Sequence, residues 1–361
     1  MYNKSKEMAQ MTNVQVQRDG LTLRGVLEIP EGKDKYDMAI LMHGFTGNCG
    51  RNNPGNLHYQ LAQMLKKMGI ASVRFDFNGH GQSDGSFTDM TVMNEVSDGR
   101  AILDYVRQMP QVEHIFLLGH SQGGVVASML AGYYHEYIDK LVLMAPAATL
   151  KTDALAGHTQ GLIYDPQHIP DKQHLRDHYD LGGFYLRIAQ TLPIYETAAE
   201  YHGPVCLIHG TADQVVDPHA SIKYDDGYSN STLHLIEGAG HLLDGERRHK
   251  VLNIVSEFIS RKGILRMFLS TGGLNQGYAI HGIVNATVKE ELHADELERV
   301  DDFDDLYEQV EMKLIEKAVA KNADGIINVR FEPQVVRVSV GPKYIVLHGY
   351  GTAVSLLHKK K

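Results

Sequence analysis

The stretch Ile115-Phe116-Leu117-Leu118-Gly119-His120-Ser121-Gln122-Gly123 joins an apolar run to the pattern Gly-x-Ser-x-Gly. Residues 115–118 have the composition of a buried strand, and an apolar helical pattern follows from Gly123 to Tyr134. Between the two elements, the glycines permit a sharp turn that lifts the Ser121 hydroxyl above the carboxyl end of a sheet. The N-terminus of the following helix favours negative charge that develops beside it. The stretch therefore predicts that Ser121 is a nucleophile.

A serine hydroxyl is a weak nucleophile, so it needs a base that is itself oriented by an acid. After a strand–turn–helix serine, the usual chain order is serine, then aspartate or glutamate, then histidine. His241 fits as the base, because it ends the turn Glu237-Gly238-Ala239-Gly240-His241 directly after the apolar run 233–236. His219 and His249 fall within predicted helices and are poorer candidates.

Two aspartates compete for the role of the acid. Asp213 follows the predicted strand Val205 to Ile208 by one turn, and Asp217 lies four residues later, directly before Pro218. We predict Asp213, because it is closer to the carboxyl end of the strand. Helix capping before Pro218 is the alternative role for either residue.

Backbone amides are the expected donors for the oxyanion of a tetrahedral intermediate, and removing one such donor costs about 3–4 kcal/mol. One should be the amide of Gln122, directly after the nucleophile. The other should come from the loop His43-Gly44-Phe45 after the predicted strand Met38 to Met42, with Phe45 as the donor. We expect the His43 side chain to support this loop.

Around these residues, apolar strand-like runs alternate with longer helical patterns, which predicts a mostly parallel sheet covered by helices on both faces. The combination predicts an α/β class protein with the α/β-hydrolase fold over residues 12–262, beginning with a hairpin at Asp19-Gly20. The alternation breaks between the strand that ends near Met144 and the one that starts near Val205. Such a long excursion is usually functional, so residues 147–203 are predicted to form an inserted lid.

Other motifs give weaker evidence about function. The tight polar turn from Asp76 to Ser83 could contact substrate, but a scaffold loop beside the site is the simpler interpretation. Gly272-Gly273 and Gly349-x-Gly351 lack the context of a phosphate-binding loop. Neither His-Glu-x-x-His nor Cys-x-x-Cys occurs, so we predict no metal and no other cofactor.

The pattern of strand-like and helical segments changes near residue 266, which indicates a second domain. Two strand-like runs, 265–269 and 278–288, precede an acidic helix whose apolar stripe is Phe303, Leu306, Val310, Leu314 and Ala318. Further strand-like runs follow Asp324-Gly325: one extends through Val329, one covers 336–340 and one covers 344–347. This order predicts a small α+β domain over residues 266–356, with a boundary at about 261–265.

Composition restricts the partners. The net charge of −9 argues against nucleic acid, and twelve acidic against four basic residues between Lys289 and Lys317 carry nearly all of it. No apolar stretch approaches 18 residues, so no membrane association is predicted. A polar N-terminus without a secretory pattern and only two cysteines favour the cytoplasm.

With these motifs in place, residues 12–262 resemble the bacterial cinnamoyl (feruloyl) esterases. The likeness includes the insertion: Ala145-Pro146-Ala147-Ala148-Thr149-Leu150, Leu181-Gly182-Gly183-Phe184-Tyr185-Leu186-Arg187 and His209-Gly210-Thr211-Ala212-Asp213. The resemblance implies hydrolysis of small aromatic esters, in which hydroxycinnamic acids are joined to sugars or other alcohols. It also implies that Asp153, Gln160 and Tyr185 bind the phenolic ring. A short-chain acyl or monoglyceride esterase without aromatic preference is the alternative.

Residues 266–356 resemble the small YbjQ-like proteins, described as heavy-metal-binding. The matching stretches are Asn322-Ala323-Asp324-Gly325-Ile326-Ile327 and His348-Gly349-Tyr350-Gly351-Thr352-Ala353-Val354. This resemblance implies ring formation, so the chain is predicted to be a homo-oligomer, and an assembly protein is the alternative from another functional class. The scattered histidines (His281, His293, His348, His358) and the absence of cysteine argue against metal binding there.

Overall fold

The computed structural model describes residues 11–175, 179–260, 268–274, 278–292, 304–321, 323, 325–337 and 343–356. The chain divides into two compact units, residues 1–260 and 261–361, and each has its own hydrophobic core. Several predicted features lie outside the described residues: Phe303, His293, His358, Asn322, Asp324, the boundary at 261–265 and positions 338–340 of a predicted strand.

The first unit combines strands and helices in alternation. Its described strands are β1 (Met11–Arg18), β2 (Leu21–Glu28), β3 (Tyr36–Met42), β4 (Ala71–Phe75), β5 (Val112–His120), β6 (Lys140–Met144), β7 (His158–Thr159), β8 (Leu162–Ile163), β9 (Lys172–His174), β10 (Asp180–Gly182), β11 (Val205–Gly210) and β12 (Ser231–Ile236). Its described helices are α1 (Leu57–Lys67), α2 (Val92–Arg107), α3 (Gln122–Tyr133), α4 (Leu150–Ala156), α5 (Gly183–Ala189), α6 (Ile194–Ala198), α7 (His219–Gly227) and α8 (Arg247–Ser260).

The main sheet has the strand order β1-β2-β4-β3-β5-β6-β11-β12. The strands from β4 to β12 in this order are all parallel, whereas β1 and β2 form an antiparallel hairpin at one edge. Asp19 and Gly20 in its turn have φ of 48° and 84°, the positive values that a tight two-residue hairpin requires. The α/β-hydrolase fold predicted from the sequence is thus confirmed.

The central strands are buried along their whole length because both sheet faces are covered. Every residue of β4, β6 and β11 is buried. Helix α1 packs with α8, and α2 packs with α3 and α5. Helix α2 begins at Val92, because the Thr91 side chain caps it by accepting a hydrogen bond from the Asn94 amide.

The insertion leaves the sheet after β6 and returns at β11, and these two strands are direct neighbours. It contains helices α4 to α6 and two small antiparallel pairs, β7 with β8 and β9 with β10. These strands have two or three residues each, too few for an alternating pattern to reveal them. The structure therefore adds two small hairpins to an insertion in which the sequence predicts no clear strand.

The described part of the second unit is a four-stranded sheet with one helix. Its described elements are β13 (Phe268–Leu269), β14 (Tyr278–Leu292), α9 (Asp304–Val319), β15 (Gly325–Arg337) and β16 (Lys343–Leu356), in the sheet order β13-β15-β16-β14. Leu306, Val310 and Leu314 of α9 are buried in its core. A Cβ on Gly349 would lie 2.4 Å from Val310 Cγ1, so this glycine permits close packing. The YbjQ-like resemblance and the homo-oligomer stay predictions.

The described part of the chain has no helix that is both long and apolar enough to cross a membrane. In the same residues, no group of three or more His, Cys, Asp or Glu side chains is arranged to hold a metal ion.

Candidate active site

Ser121 occupies a strained turn between β5 and α3. Its φ of 56° and ψ of −124° are unfavourable for a residue with a Cβ. A Cβ on Gly119 would lie 2.2 Å from the Gly123 carbonyl oxygen, and one on Gly123 would lie 2.3 Å from that of Met42. Both glycines are therefore required by close packing of backbone on backbone. The Ser121 amide donates to the Met144 carbonyl at 2.9 Å, which ties the turn to β6.

Three distant side chains meet at this turn. His241 Nε2 lies 2.9 Å from Ser121 Oγ, and His241 Nδ1 lies 2.7 Å from Asp213 Oδ2. Because a carboxylate only accepts hydrogen bonds, Nδ1 carries the ring proton and Nε2 is free to accept the proton of the serine. The geometry is that of a nucleophile, a base and an orienting acid.

The acid is held as a carboxylate by its surroundings. Its Oδ1 accepts hydrogen bonds from the amides of Val215 (2.8 Å) and Val216 (2.9 Å). Burial alone would raise the pKa of Asp213, but hydrogen bonds from His209, His241 and these amides outweigh burial and hold this pKa well below its usual range. Asp217 instead accepts from the His219 amide near the start of α7, at the surface.

His209 was missed by the sequence analysis as a functional residue. It is fully buried in β11, and its Nε2 lies 3.2 Å from Asp213 Oδ2 and 3.1 Å from the Val216 carbonyl oxygen. Both partners are acceptors, so the ring proton is on Nε2, and Nδ1 accepts from the Ser221 hydroxyl at 2.7 Å. A histidine within an apolar strand, four residues before the acid, was the available signal.

We expect His209→Leu to lower kcat by about tenfold or more, because a hydrogen bond to a charged group contributes about 1.5–3 kcal/mol. Loss of this donor raises the pKa of Asp213, so the acidic limb of the kcat profile should move to higher pH. His209→Gln, whose Nε2 amide keeps a donor near Asp213, is the control and should stay close to the wild type. Equal profiles for all three proteins, with folding verified by circular dichroism, would rule out this role.

The predicted oxyanion donors lie beside the nucleophile. A Cβ on Gly44 would lie 2.8 Å from Ser121 Cβ, so the loop that carries Phe45 passes directly over the serine. The Phe45 amide donates to no described residue, and the Gln122 amide, at the start of α3, has no intrahelical acceptor. His43 supports the loop: its Nδ1 donates to the Gly44 carbonyl, and its Nε2 accepts from the Phe77 amide.

The side chain of Gln122 is part of a buried polar network. Its Nε2 donates to Glu95 Oε2 at 2.7 Å, and its Oε1 accepts from the Tyr185 hydroxyl. Burial raises the pKa of Glu95 well above its usual range. Tyr185 is thus buried next to the oxyanion residues, and it also lies near Gln160. It does not line either of the cavities at Ser121 that are described next.

Two cavities open beside Ser121. The larger, of about 660 Å³, extends under the insertion, and Asp153 and Gln160 are both in its wall, together with Leu150, Leu162 and Val216. The smaller, of about 370 Å³, follows the His43–Phe45 loop toward α1 and α8. The turn from Asp76 to Ser83 reaches neither cavity: Asp76 accepts from the amides of Cys49 and Gln82 and acts as a scaffold.

Comparison with known proteins agrees with this geometry. A family model described as serine aminopeptidase S33 matches residues 36–165. A structure of Est1E from Butyrivibrio proteoclasticus with ferulic acid bound is 32% identical, with a TM-score of 0.65, and the match covers 68% of this chain and 97% of Est1E. The chain belongs to the α/β-hydrolase family. Since its nucleophile, base and acid are assembled, this α/β-hydrolase is a serine hydrolase of the carboxylic ester hydrolase type.

Curated relatives of this α/β-hydrolase include enzymes with other substrates. Monoglyceride lipase of Mus musculus is 27% identical over 268 residues, which span 64% of this chain and 85% of the lipase. The mitochondrial palmitoyl-protein thioesterase ABHD10 of Rattus norvegicus is 26% identical over 203 residues, which span 54% of this chain and 64% of the thioesterase.

Proposed function

We propose that this α/β-hydrolase hydrolyses esters of hydroxycinnamic acids. The observation that carries the proposal is a carboxylate in the cavity that opens at the nucleophile: Asp153 lies in the wall of the larger cavity, which leads from Ser121 between aliphatic side chains. Thr149 Oγ1 donates to Asp153 Oδ2 at 2.8 Å, and Oδ1, which lies 4.0 Å from His158 Nδ1, can accept from a phenolic hydroxyl. The ferulic acid bound to Est1E supports the same acyl class.

The reaction follows from the positions of the groups. Ser121 Oγ attacks the ester carbonyl while its proton passes to His241 Nε2, and the ionised Asp213 stabilises the resulting imidazolium. The amides of Phe45 and Gln122 bind the oxyanion. His241 then protonates the departing alcohol, which leaves the acyl group on Ser121. A water molecule, deprotonated by His241, releases the acid and restores the serine.

Asp153→Ala tests the acyl site. We expect wild type to hydrolyse methyl p-coumarate with a higher kcat/KM than methyl cinnamate, which lacks the phenolic hydroxyl, and the variant to lose about tenfold or more of this ratio. Asp171→Ala is the matched control, since Asp171 is a fully exposed aspartate of the same insertion. A ratio that is equal in wild type and in both variants would refute the proposed role of Asp153.

The alternative is an aliphatic ester or monoglyceride hydrolase, favoured by the likeness to monoglyceride lipase. Methyl ferulate and a short-chain 4-nitrophenyl ester, each corrected for its rate of hydrolysis by hydroxide, separate the two functions. A clear preference for the aliphatic ester would replace the hydroxycinnamate proposal with this alternative.

A further inference from the structure

The smaller cavity beside Ser121 is lined largely by polar side chains. They include Asn48, Asn56, His58, His120, Asp244 and Arg248. Among the residues that the structure describes, Ser121 alone lines both this cavity and the larger one under the insertion. If the acyl group occupies the larger cavity, the smaller one is the space next to the ester oxygen, where the alcohol half of the substrate lies.

Two buried histidines present acceptors here. His58 Nε2 lies 3.0 Å from the Met42 carbonyl oxygen, and His120 Nε2 lies 2.9 Å from that of His241. A carbonyl only accepts, so each ring carries its proton on Nε2 and each Nδ1 has a free lone pair. Both side chains are buried: His58 is 4% and His120 8% exposed. No described residue donates a hydrogen bond to either Nδ1. Burial also lowers the pKa of both rings, that of His120 to about 4, so both stay neutral at pH 7.

Donors lie in the same wall. Arg248 donates to the carbonyls of Leu242 and Leu243 and to Gln60 Oε1, which uses three of its five N–H groups. Asn48 and Asn56 accept backbone amides through Oδ1, and their Nδ2 groups donate to no described residue. The positive charge of Arg248 is balanced by Asp244 in the same wall, so the lining selects neither an anion nor a cation.

We propose that this cavity binds a polyhydroxylated, uncharged alcohol, with His58 and His120 as the acceptors that recognise its hydroxyl groups; the proposal rests on the proposed ester hydrolysis at Ser121. A hydroxyl group matches the lining because it donates to Nδ1 and can accept from Arg248 or Asn48 in return. A simple alkyl group leaves both buried acceptors without a partner, which is unfavourable. A carboxylate cannot donate to Nδ1 and would also face Asp244.

The first measurement compares propyl ferulate with 2,3-dihydroxypropyl ferulate, which have the same carbon skeleton and differ by two hydroxyl groups. Each kcat/KM is divided by the rate constant of hydrolysis by hydroxide, to remove the difference in leaving-group reactivity. We expect the dihydroxypropyl ester to be preferred by about two- to tenfold for each hydrogen bond gained. Equal corrected values, or a preference for the propyl ester, would overturn the proposal.

The variant His58→Gln tests whether His58 is responsible for the preference for the dihydroxypropyl ester. A glutamine amide can still donate to the Met42 carbonyl but places no acceptor at the position of Nδ1. We expect this variant to lose about two- to tenfold of the dihydroxypropyl preference, measured as the ratio of the two corrected kcat/KM values. His249→Gln, on the exposed surface of α8, is the control and should change neither value. An unchanged preference in His58→Gln would remove His58 from the site.

The same pair of alcohols esterified with butyric acid separates this proposal from the acyl assignment. If the enzyme ignores ferulate esters but prefers the dihydroxypropyl over the propyl butyrate, the hydroxycinnamate proposal fails and the polyol site stands. If it hydrolyses ferulate esters with no preference for the dihydroxypropyl group in either series, the acyl assignment stands and the polyol site fails.

Discussion

Replacing Ser121 with alanine is expected to lower kcat for ester hydrolysis by roughly 10⁶-fold, because removal of the nucleophile eliminates the acyl-enzyme route. The fold should be retained, since the Ser121 side chain makes its described hydrogen bond to His241 alone, and the backbone bonds of the turn are unaffected. Steady-state kinetics with methyl ferulate measure the loss. Mass spectrometry should detect an acyl adduct at Ser121 in wild type and none in the variant.

Ser97→Ala is a suitable control, because Ser97 lies on the exposed side of α2 and bonds only to the Met93 carbonyl. This variant should keep the wild-type kcat. If Ser121→Ala retained hydrolysis within tenfold of wild type, or if the adduct appeared on another residue, the assignment of the nucleophile would be wrong.

Asp213→Asn is expected to lower kcat by roughly 10⁴-fold while changing KM little. The amide cannot stabilise the imidazolium that forms on His241, and it can hold the ring in the wrong tautomer. The same variant should change stability with pH. Hydrogen bonds lower the pKa of Asp213 in the folded state, so its ionisation stabilises the wild-type fold above about pH 4, and this contribution is lost as the pH falls further. The free energy of unfolding of Asp213→Asn should lack this contribution.

Asp217→Asn is the matched control, since Asp217 is the second candidate for the acid in the sequence. The Asp217 side chain is exposed and bonds only to His219, so its variant should keep kcat within about twofold of wild type. Should Asp217→Asn lose activity as strongly as Asp213→Asn, the acid would have to be reassigned.

The sequence predicts the nucleophile turn well because its requirements are local. Gly119 and Gly123 are constrained by atoms that approach within 2.3 Å of a virtual Cβ, and Ser121 between them needs a positive φ that the flanking strand and helix impose. The alternation of strand-like and helical patterns likewise predicts a mostly parallel sheet, since parallel strands need crossover connections, which are usually helices.

Other features were beyond reach of the sequence for a physical reason. His58, His120 and His209 are three of twenty histidines, and the sequence does not show which partners their ring nitrogens contact. Their roles depend on partners far along the chain: His120 contacts the His241 carbonyl 121 residues away, and His58 contacts that of Met42. The Gln122–Tyr185 bond, across 63 residues, similarly places Tyr185 beside the oxyanion residues, outside the lining of the two cavities at Ser121.

The sequence was therefore enough to predict the α/β-hydrolase fold, the position of the insertion and the candidate nucleophile. These features depend on turn geometry and on strand–helix alternation, which short stretches of sequence determine. The sequence already favoured Asp213 over Asp217. Only folding brought the Asp213 carboxylate to His241 and turned two histidines into acceptors beside Ser121. Proton positions depend on which carbonyl or carboxylate lies within about 3 Å of each ring nitrogen, and that distance exists only once the chain has packed.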